Sequence, residues 1–126
     1  MDNKLIERWK FGTDKTESDH LFDLVKQGIK TATSYLYTDE NYVTPNKFSI
    51  LCNWDGNEEI KLETINFYIV PFKDVTELHA YKEGEGDRTL NFWRKIHKDF
   101  FAKRLMLQGR TFSEDVLVVC EEFKML

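Results

Sequence analysis

Two segments of the chain concentrate the residue types that do chemistry. In Gly28-Ile29-Lys30-Thr31-Ala32-Thr33 a cation and two hydroxyls follow a glycine within a few residues. In Glu83-Gly84-Glu85-Gly86-Asp87 three carboxylates alternate with two glycines. On a strand Thr31 and Thr33 share one face and Lys30 takes the other, so Lys30 meets Thr33 only where the backbone curves. Taken alone, the first segment equally describes a glycine-ended helix leading into a Thr-rich edge strand with a solvated lysine. In the second, glycine admits backbone conformations closed to other residues, which predicts a tight turn that aims its carboxylates. Carboxylates two apart suggest calcium, but the sixth position is not glycine and the twelfth is Arg94.

His20, His79 and His97 show no ligand spacing with one another or with Cys52 and Cys120, which argues against zinc. The sequence lacks a glycine-rich phosphate loop, a dinucleotide fingerprint and a zinc-protease motif. No metal and no cofactor is expected. His97, Trp93, Phe100 and Phe101 recur at helical spacing and read first as a core-facing stripe.

The elements that must position these residues follow from periodicity. A short amphipathic helix is expected at the start, with Leu5, Ile6 and Trp9 on one face. A second helix is expected from a cap at Ser18 through Leu21, Leu24 and Val25 to a stop at Gly28. The stretch from Lys30 to Tyr37 is rich in strand formers. Phe48 to Trp54 alternates as a strand, Asp55-Gly56 signals a hairpin, and its partner begins at Glu59. There Ile60, Leu62 and Thr64 share one face, whereas Ile65, Phe67 and Ile69 follow in the opposite phase, which implies a bulge or a crossing between two packed faces. A third helix runs from a cap at Thr89 to Gly109, and the apolar run Val116 to Cys120 predicts a central strand buried on both sides. Pro45 falls in a loop-like context and Pro71 at a strand end.

With 126 residues, 41% hydrophobic and 32% charged, the chain fits one folded domain over 1–126 of α+β class, mostly antiparallel. The charged N-terminus, the absence of a long apolar run and two cysteines in apolar strands predict a cytoplasmic protein that does not enter membranes. A net charge of −4 disfavours an extended duplex DNA partner. Lys26, Lys30, Lys95, Lys98, Lys103 and Arg104 could still gather locally once folded. The oligomeric state is not legible.

Together the segments resemble the ASCH domain family, whose fold is a small β-barrel related to the PUA domain. The resemblance rests on Trp9, Phe11-Gly12, Leu24 to Ser34, Glu63-Thr64, Val70 to Phe72, Glu83 to Asp87, Trp93, His97 and Cys120 to Phe123. Gly28, Lys30 and Thr33 stand at the first three positions of the family's GxKxxTxR pattern, and Tyr35 stands where arginine is expected. The EGEGD loop followed by Trp93 and His97 is similar to one subgroup. His79-Ala80-Tyr81-Lys82-Glu83 is similar to a run in the branch of bacterial amidohydrolases that remove the acetyl group of N(4)-acetylcytidine.

The resemblance implies Lys30, Thr33 and Glu83 as a catalytic set, with Thr31, Ser34, Tyr35, Glu85, Asp87, Trp93 and His97 contacting substrate. It implies a nucleoside or an exposed base of single-stranded RNA as ligand, and amide hydrolysis of a modified nucleoside as the reaction. The alternatives are a single-strand ribonuclease and a non-catalytic RNA- or ligand-binding module. In the hydrolytic reading threonine needs a base, and lysine serves only if its pKa falls from about 10.4. Glu83 would then orient the lysine or protonate the departing amine, although a carboxylate beside Lys30 raises that lysine's pKa.

Overall fold

The computed structural model describes residues 6–37 and 46–126, so the loop expected around Pro45, and Leu5, lie outside the described residues. In chain order the elements are β1 (Glu7–Trp9), α1 (Lys15–Lys26), β2 (Ala32–Leu36), β3 (Phe48–Cys52), β4 (Glu59–Pro71), α2 (Glu77–Glu83), α3 (Leu90–Leu107) and β5 (Leu117–Met125). The five strands form one curled half-barrel sheet of order β1-β3-β4-β5-β2. All pairings are antiparallel except β1 with β3. The expected α+β, mostly antiparallel architecture is therefore the one observed.

The bulge expected in β4 is present, although Ile65, Phe67 and Ile69 are exposed and Tyr68 and Val70 are the residues packed on the second core. The register of β4 against β5 slips between Thr64 and Asn66, so Leu62 and Tyr68 keep contact with different cores. The first core joins Phe11, Leu21, Phe22, Val25, Leu51, Leu62 and Phe123, bringing α1 onto one half of the sheet. The second joins Phe72, Val75, Ala80, Trp93, Phe101, Val118 and Cys120, bringing α2 and α3 onto the other. β5 belongs to both halves, and Val118, Val119 and Cys120 are wholly buried because strands flank it on each side. Both cysteines are free and buried, as expected.

Three expectations are corrected. The opening segment is a strand: Glu7–Trp9 pairs with Ser49–Leu51, and Trp9 Nε1 donates to Ser49 Oγ at 3.0 Å. So short a segment cannot offset the cost of helix nucleation, and the open edge of β3 supplies backbone partners instead. The cap of α1 is Asp14, whose side chain accepts from the Glu17 amide, while Ser18 lies buried inside the helix. Asp14 with Glu17 three residues on has the pattern of a capping box. The third correction is α2, capped by Thr76 and ended by Gly84 in the left-handed conformation, which makes Glu83 the last helical residue rather than part of a loop. Seven residues are too few for periodicity to announce them. Among the described residues no helix is long and apolar enough to cross a membrane.

Phe101 has no exposed surface and touches the rings of Phe72, Trp93 and His97. Phe101→Ala is expected to cost about 3–5 kcal/mol in urea unfolding with the slope of the transition retained. A midpoint equal to that of the parent protein would show that α3 does not depend on this core.

Candidate functional site

The start of β2 and the end of α2 are stitched backbone to backbone. The Thr31 amide donates to the Lys82 carbonyl at 2.7 Å, and Arg88 Nη2 donates to the Ile29 carbonyl at 3.3 Å. A Cβ at Gly84 would stand 2.5 Å from that same Ile29 oxygen, so glycine is required there for approach as well as for its φ of +71°. This apposition brings together side chains 53 residues apart in sequence.

Lys30 and Glu83 meet within it, each 2% exposed. Lys30 Nζ donates to Glu83 Oε1 at 3.2 Å, to the Glu83 carbonyl at 3.3 Å and to Glu85 Oε2 at 2.9 Å. The other oxygen, Glu83 Oε2, accepts from Ser34 Oγ at 2.8 Å and from Trp93 Nε1 at 2.5 Å, and lies 2.7 Å from His79 Nε2. His97 Nε2 stands 3.7 Å from Glu83 Oε1. The carboxylate is thus surrounded by donors contributed by β2, α2 and α3.

Protonation follows from this arrangement. Burial alone would raise the Glu83 carboxyl, but the Lys30 charge, the His79 hydrogen bond and the nearby His97 hold it well below the usual carboxylate range. Burial alone would lower Lys30, yet Glu83 and Glu85 outweigh it and keep the ammonium above its ordinary value. The pair is therefore ammonium and carboxylate. Glu83 has no proton to give at neutral pH, and Lys30 has no lone pair with which to act as a base. With His79 Nε2–H directed at the carboxylate, His79 Nδ1 is left buried without a hydrogen-bond partner among the described residues.

The cluster reaches the surface at Glu85 and His97, whose side chains are 22% and 13% exposed. The His97 ring stacks on Trp93 at 4.3 Å and 14°, and its Nδ1 lies 2.9 Å from the Trp93 carbonyl. The Trp93 carbonyl thus accepts a hydrogen bond from Nδ1–H, which orients the ring with Nε2 toward Glu83. Glu83, Glu85 and His97 each offer one ligand atom within 4.8 Å of the others, so they could converge on a metal ion. Lys30 Nζ already sits against both carboxylates, and an entering cation would meet that ammonium at close range.

The remaining expected residues divide. Ser34 joins the cluster on the Lys30 side of β2. Thr33 does not: it is the Cα partner of Glu121, on the alternate face, and its hydroxyl forms no hydrogen bond with Lys30 or Glu83. Tyr35 shares the Thr33 face and hydrogen-bonds to the Glu121 carboxyl. Thr31 Oγ1 donates weakly to the Lys82 carbonyl at 3.4 Å. Asp87 is exposed and accepts from the Thr89 amide and hydroxyl at 3.0 and 2.6 Å, which anchors the start of α3 rather than the cluster. His79 is the residue sequence reasoning left out of the site; its signal was the i,i+4 spacing to Glu83 on a helix that had not been assigned. Of the cations that could have gathered, Lys30 is buried and Lys26 pairs with Glu58.

A family model described as ASCH domain matches residues 7–126. The chain belongs to the ASCH domain family. An ASCH domain from Lactobacillus crispatus JV V101 has a TM-score of 0.88 to this ASCH domain at 30% identity, over 95% of this chain and 79% of that one. Protein EF3133 from Enterococcus faecalis V583 gives 0.87 at 26% identity, over 100% and 79%. The hypothetical protein PH0355, at 0.60 and 16% identity over 94% and 99%, shares the fold. No curated protein matches.

Removing one partner of a buried ion pair leaves the other charge uncompensated. Glu83→Ala in this ASCH domain is expected to lose about 3–5 kcal/mol in urea unfolding. A depressed carboxyl contributes stability that is present above the unfolded value of about 4.3 and lost as pH falls below it. A raised ammonium contributes stability present below about 10.4 and lost as pH rises through its folded value. The parent protein should therefore hold a level urea midpoint between these limits and lose it on either side. Glu83→Ala should weaken both limbs, and limbs unchanged in the variant would show that other groups govern them.

Proposed function

We propose that this ASCH domain recognises an exposed base of single-stranded RNA, or a free nucleoside, where the cluster of Lys30, Glu83, Glu85 and His97 reaches the surface. One observation carries the reading. A buried ammonium and its carboxylate are fixed by Ser34, His79 and Trp93, and the polar groups left at the opening, Glu85 and His97, stand beside an aromatic stack. Preorganised hydrogen-bonding groups next to a planar ring suit a flat heterocycle with polar edges. The Glu85 carboxylate accepts, so a base edge bearing N–H groups complements it. Recognition of single-stranded rather than duplex nucleic acid agrees with the net charge of −4.

The hydrolytic readings draw on the same pair of residues. A threonine nucleophile served by lysine requires Lys30 to give up its proton between two carboxylates and Thr33 to cross to the other face of β2. Both requirements work against the resting geometry, which therefore supports binding over turnover.

The test uses short single-stranded RNA and free nucleosides, with quenching of intrinsic tryptophan fluorescence as readout. Saturable quenching is expected in the parent protein, weakened about tenfold in His97→Ala and in Glu85→Ala, whose side chains are partly exposed and whose loss should leave the unfolding midpoint nearly intact. Equal affinity in all three proteins refutes the assignment of the opening. Incubation with N(4)-acetylcytidine or with single-stranded RNA is expected to leave both intact. Acetate release or strand shortening that Lys30→Ala abolishes would establish the hydrolytic alternative instead.

A further inference from the structure

Of the cations that could gather on folding, Lys95, Lys98, Lys103 and Arg104 all lie exposed on α3, within about 14 Å along its axis. Five Lys or Arg against one Asp give this helix a balance of +4; in a chain whose total is −4, that leaves −8 for the rest. Among the described residues, none of those four cations pairs with a carboxylate, whereas Lys15, Lys26, Lys47, Lys73, Lys82 and Lys124 each do. Arg94, the fifth, is committed to the fold: its Nη2 donates to the Lys73 carbonyl at 3.2 Å.

Helix stability accounts for only part of this charge. The macrodipole favours a cation in the last turn, which covers Arg104, but it gives no reason for Lys95 and Lys98 in a helix whose first turn has no acidic residue. His97 and Arg104 are seven residues apart, two turns, so they share a line along the helix about 10 Å long. Phe100 stands between them, 38% exposed, with the Arg104 guanidinium 4.9 Å from its ring centre. Lys98 and Lys103 fall to either side of that line, while Lys95, two residues from His97, falls on the opposite side of the helix and contributes only to the field. An aromatic ring interleaved with unpaired cations suits single-stranded nucleic acid. An extended anionic surface, whether duplex or bilayer, would bring its charge against the −8 of the remaining chain as well. A flexible strand can follow one helix alone.

We propose that α3 binds the RNA strand that carries the recognised base: from Glu85 and His97 the strand follows the helix, with its next base against Phe100 and its phosphates at Lys98, Lys103 and Arg104. The inference rests on the reading of the surface at Glu85 and His97 as a base site, and it selects the single strand over the free nucleoside as the ligand.

The experiment measures binding of fluorescein-labelled single-stranded RNA of about ten nucleotides to the full chain as salt is raised, beside binding of free nucleosides. At low salt the strand is expected to bind about a hundredfold more tightly than any nucleoside, and its log affinity to fall against log salt with a slope of about −2. Replacing Lys98, Lys103 and Arg104 together by Gln should flatten the slope by about 2 and leave nucleoside binding unchanged. Phe100→Ala should weaken the strand about tenfold and keep the slope. Replacing Lys15, Lys26 and Lys73 by Gln removes the same charge from other faces and should change neither. Equal affinity for strand and nucleosides, weakened together in His97→Ala, overturns the α3 path and leaves the base site standing. Equal weakening by both triple variants overturns the path too, as an effect of net charge alone. Binding to phosphatidylserine vesicles in place of RNA overturns it in favour of a membrane surface, and silence towards RNA and nucleosides alike removes the base site and the path together.

Discussion

A charged lysine and a charged glutamate share a site from which water is excluded, and much of the local architecture can be understood as making that tolerable. Taking two such ions out of water costs several kcal/mol each, and Coulomb attraction alone does not reliably recover it. Here the remaining hydrogen-bonding capacity is filled. Three donors converge on one carboxylate oxygen, and the ammonium has a second carboxylate and a backbone carbonyl besides its main partner. These groups come from β2, α2, the Glu85 turn and α3. The pair can therefore exist only when β2, α2, the Glu85 turn and α3 are in place together, which couples the order of the cluster to the folding of that half of the molecule.

The backbone solution that permits the pair is equally specific. Gly84 ends α2 in a left-handed conformation and lets the turn lie directly against Ile29, so the chain enters the Glu85 turn with no side chain between the two backbones. Arg88, itself at a positive φ of 64°, closes the turn onto the Ile29 and Tyr81 carbonyls and covers the Tyr81 ring at 3.6 Å. α3 then starts from a cap that Asp87 and Thr89 build between them. Its first turns deliver Trp93 and His97, four apart, as a stack over the carboxylate. The stack is firm because Phe72 and Phe101 back it from the core.

Cys120 and Tyr68 illustrate how the same environment silences other reactive groups. Burial, with the Glu83 charge adding to it, pushes the Cys120 thiol up to about 12, and burial next to that thiol pushes the Tyr68 hydroxyl to about 12. Neither is a nucleophile at neutral pH. Among the described residues, the chemistry of this face therefore rests with Lys30, its two carboxylates and the groups around them.

Patterns with a period were legible in the sequence. The alternation and bulge of β4, the double-sided burial of β5, the hairpin after Cys52 and the capped start of α3 each repeat a local rule over enough residues to be read without a partner. Lys30 and Glu83 were named from a resemblance, and the structure brings them together. Tertiary structure alone decided the rest. The opening strand exists because β3 has a free edge, and α2 is held where Ala80 packs into the second core with Val75 and Trp93. Which hydroxyl joined the ion pair was also a tertiary matter. The spacing of Thr33 from Lys30 suggested partnership, but once β2 enters the sheet its side chains alternate. Ser34 then falls to the Glu83 side and Thr33 to the other, a choice fixed by pairing with β5 and not by the residues themselves.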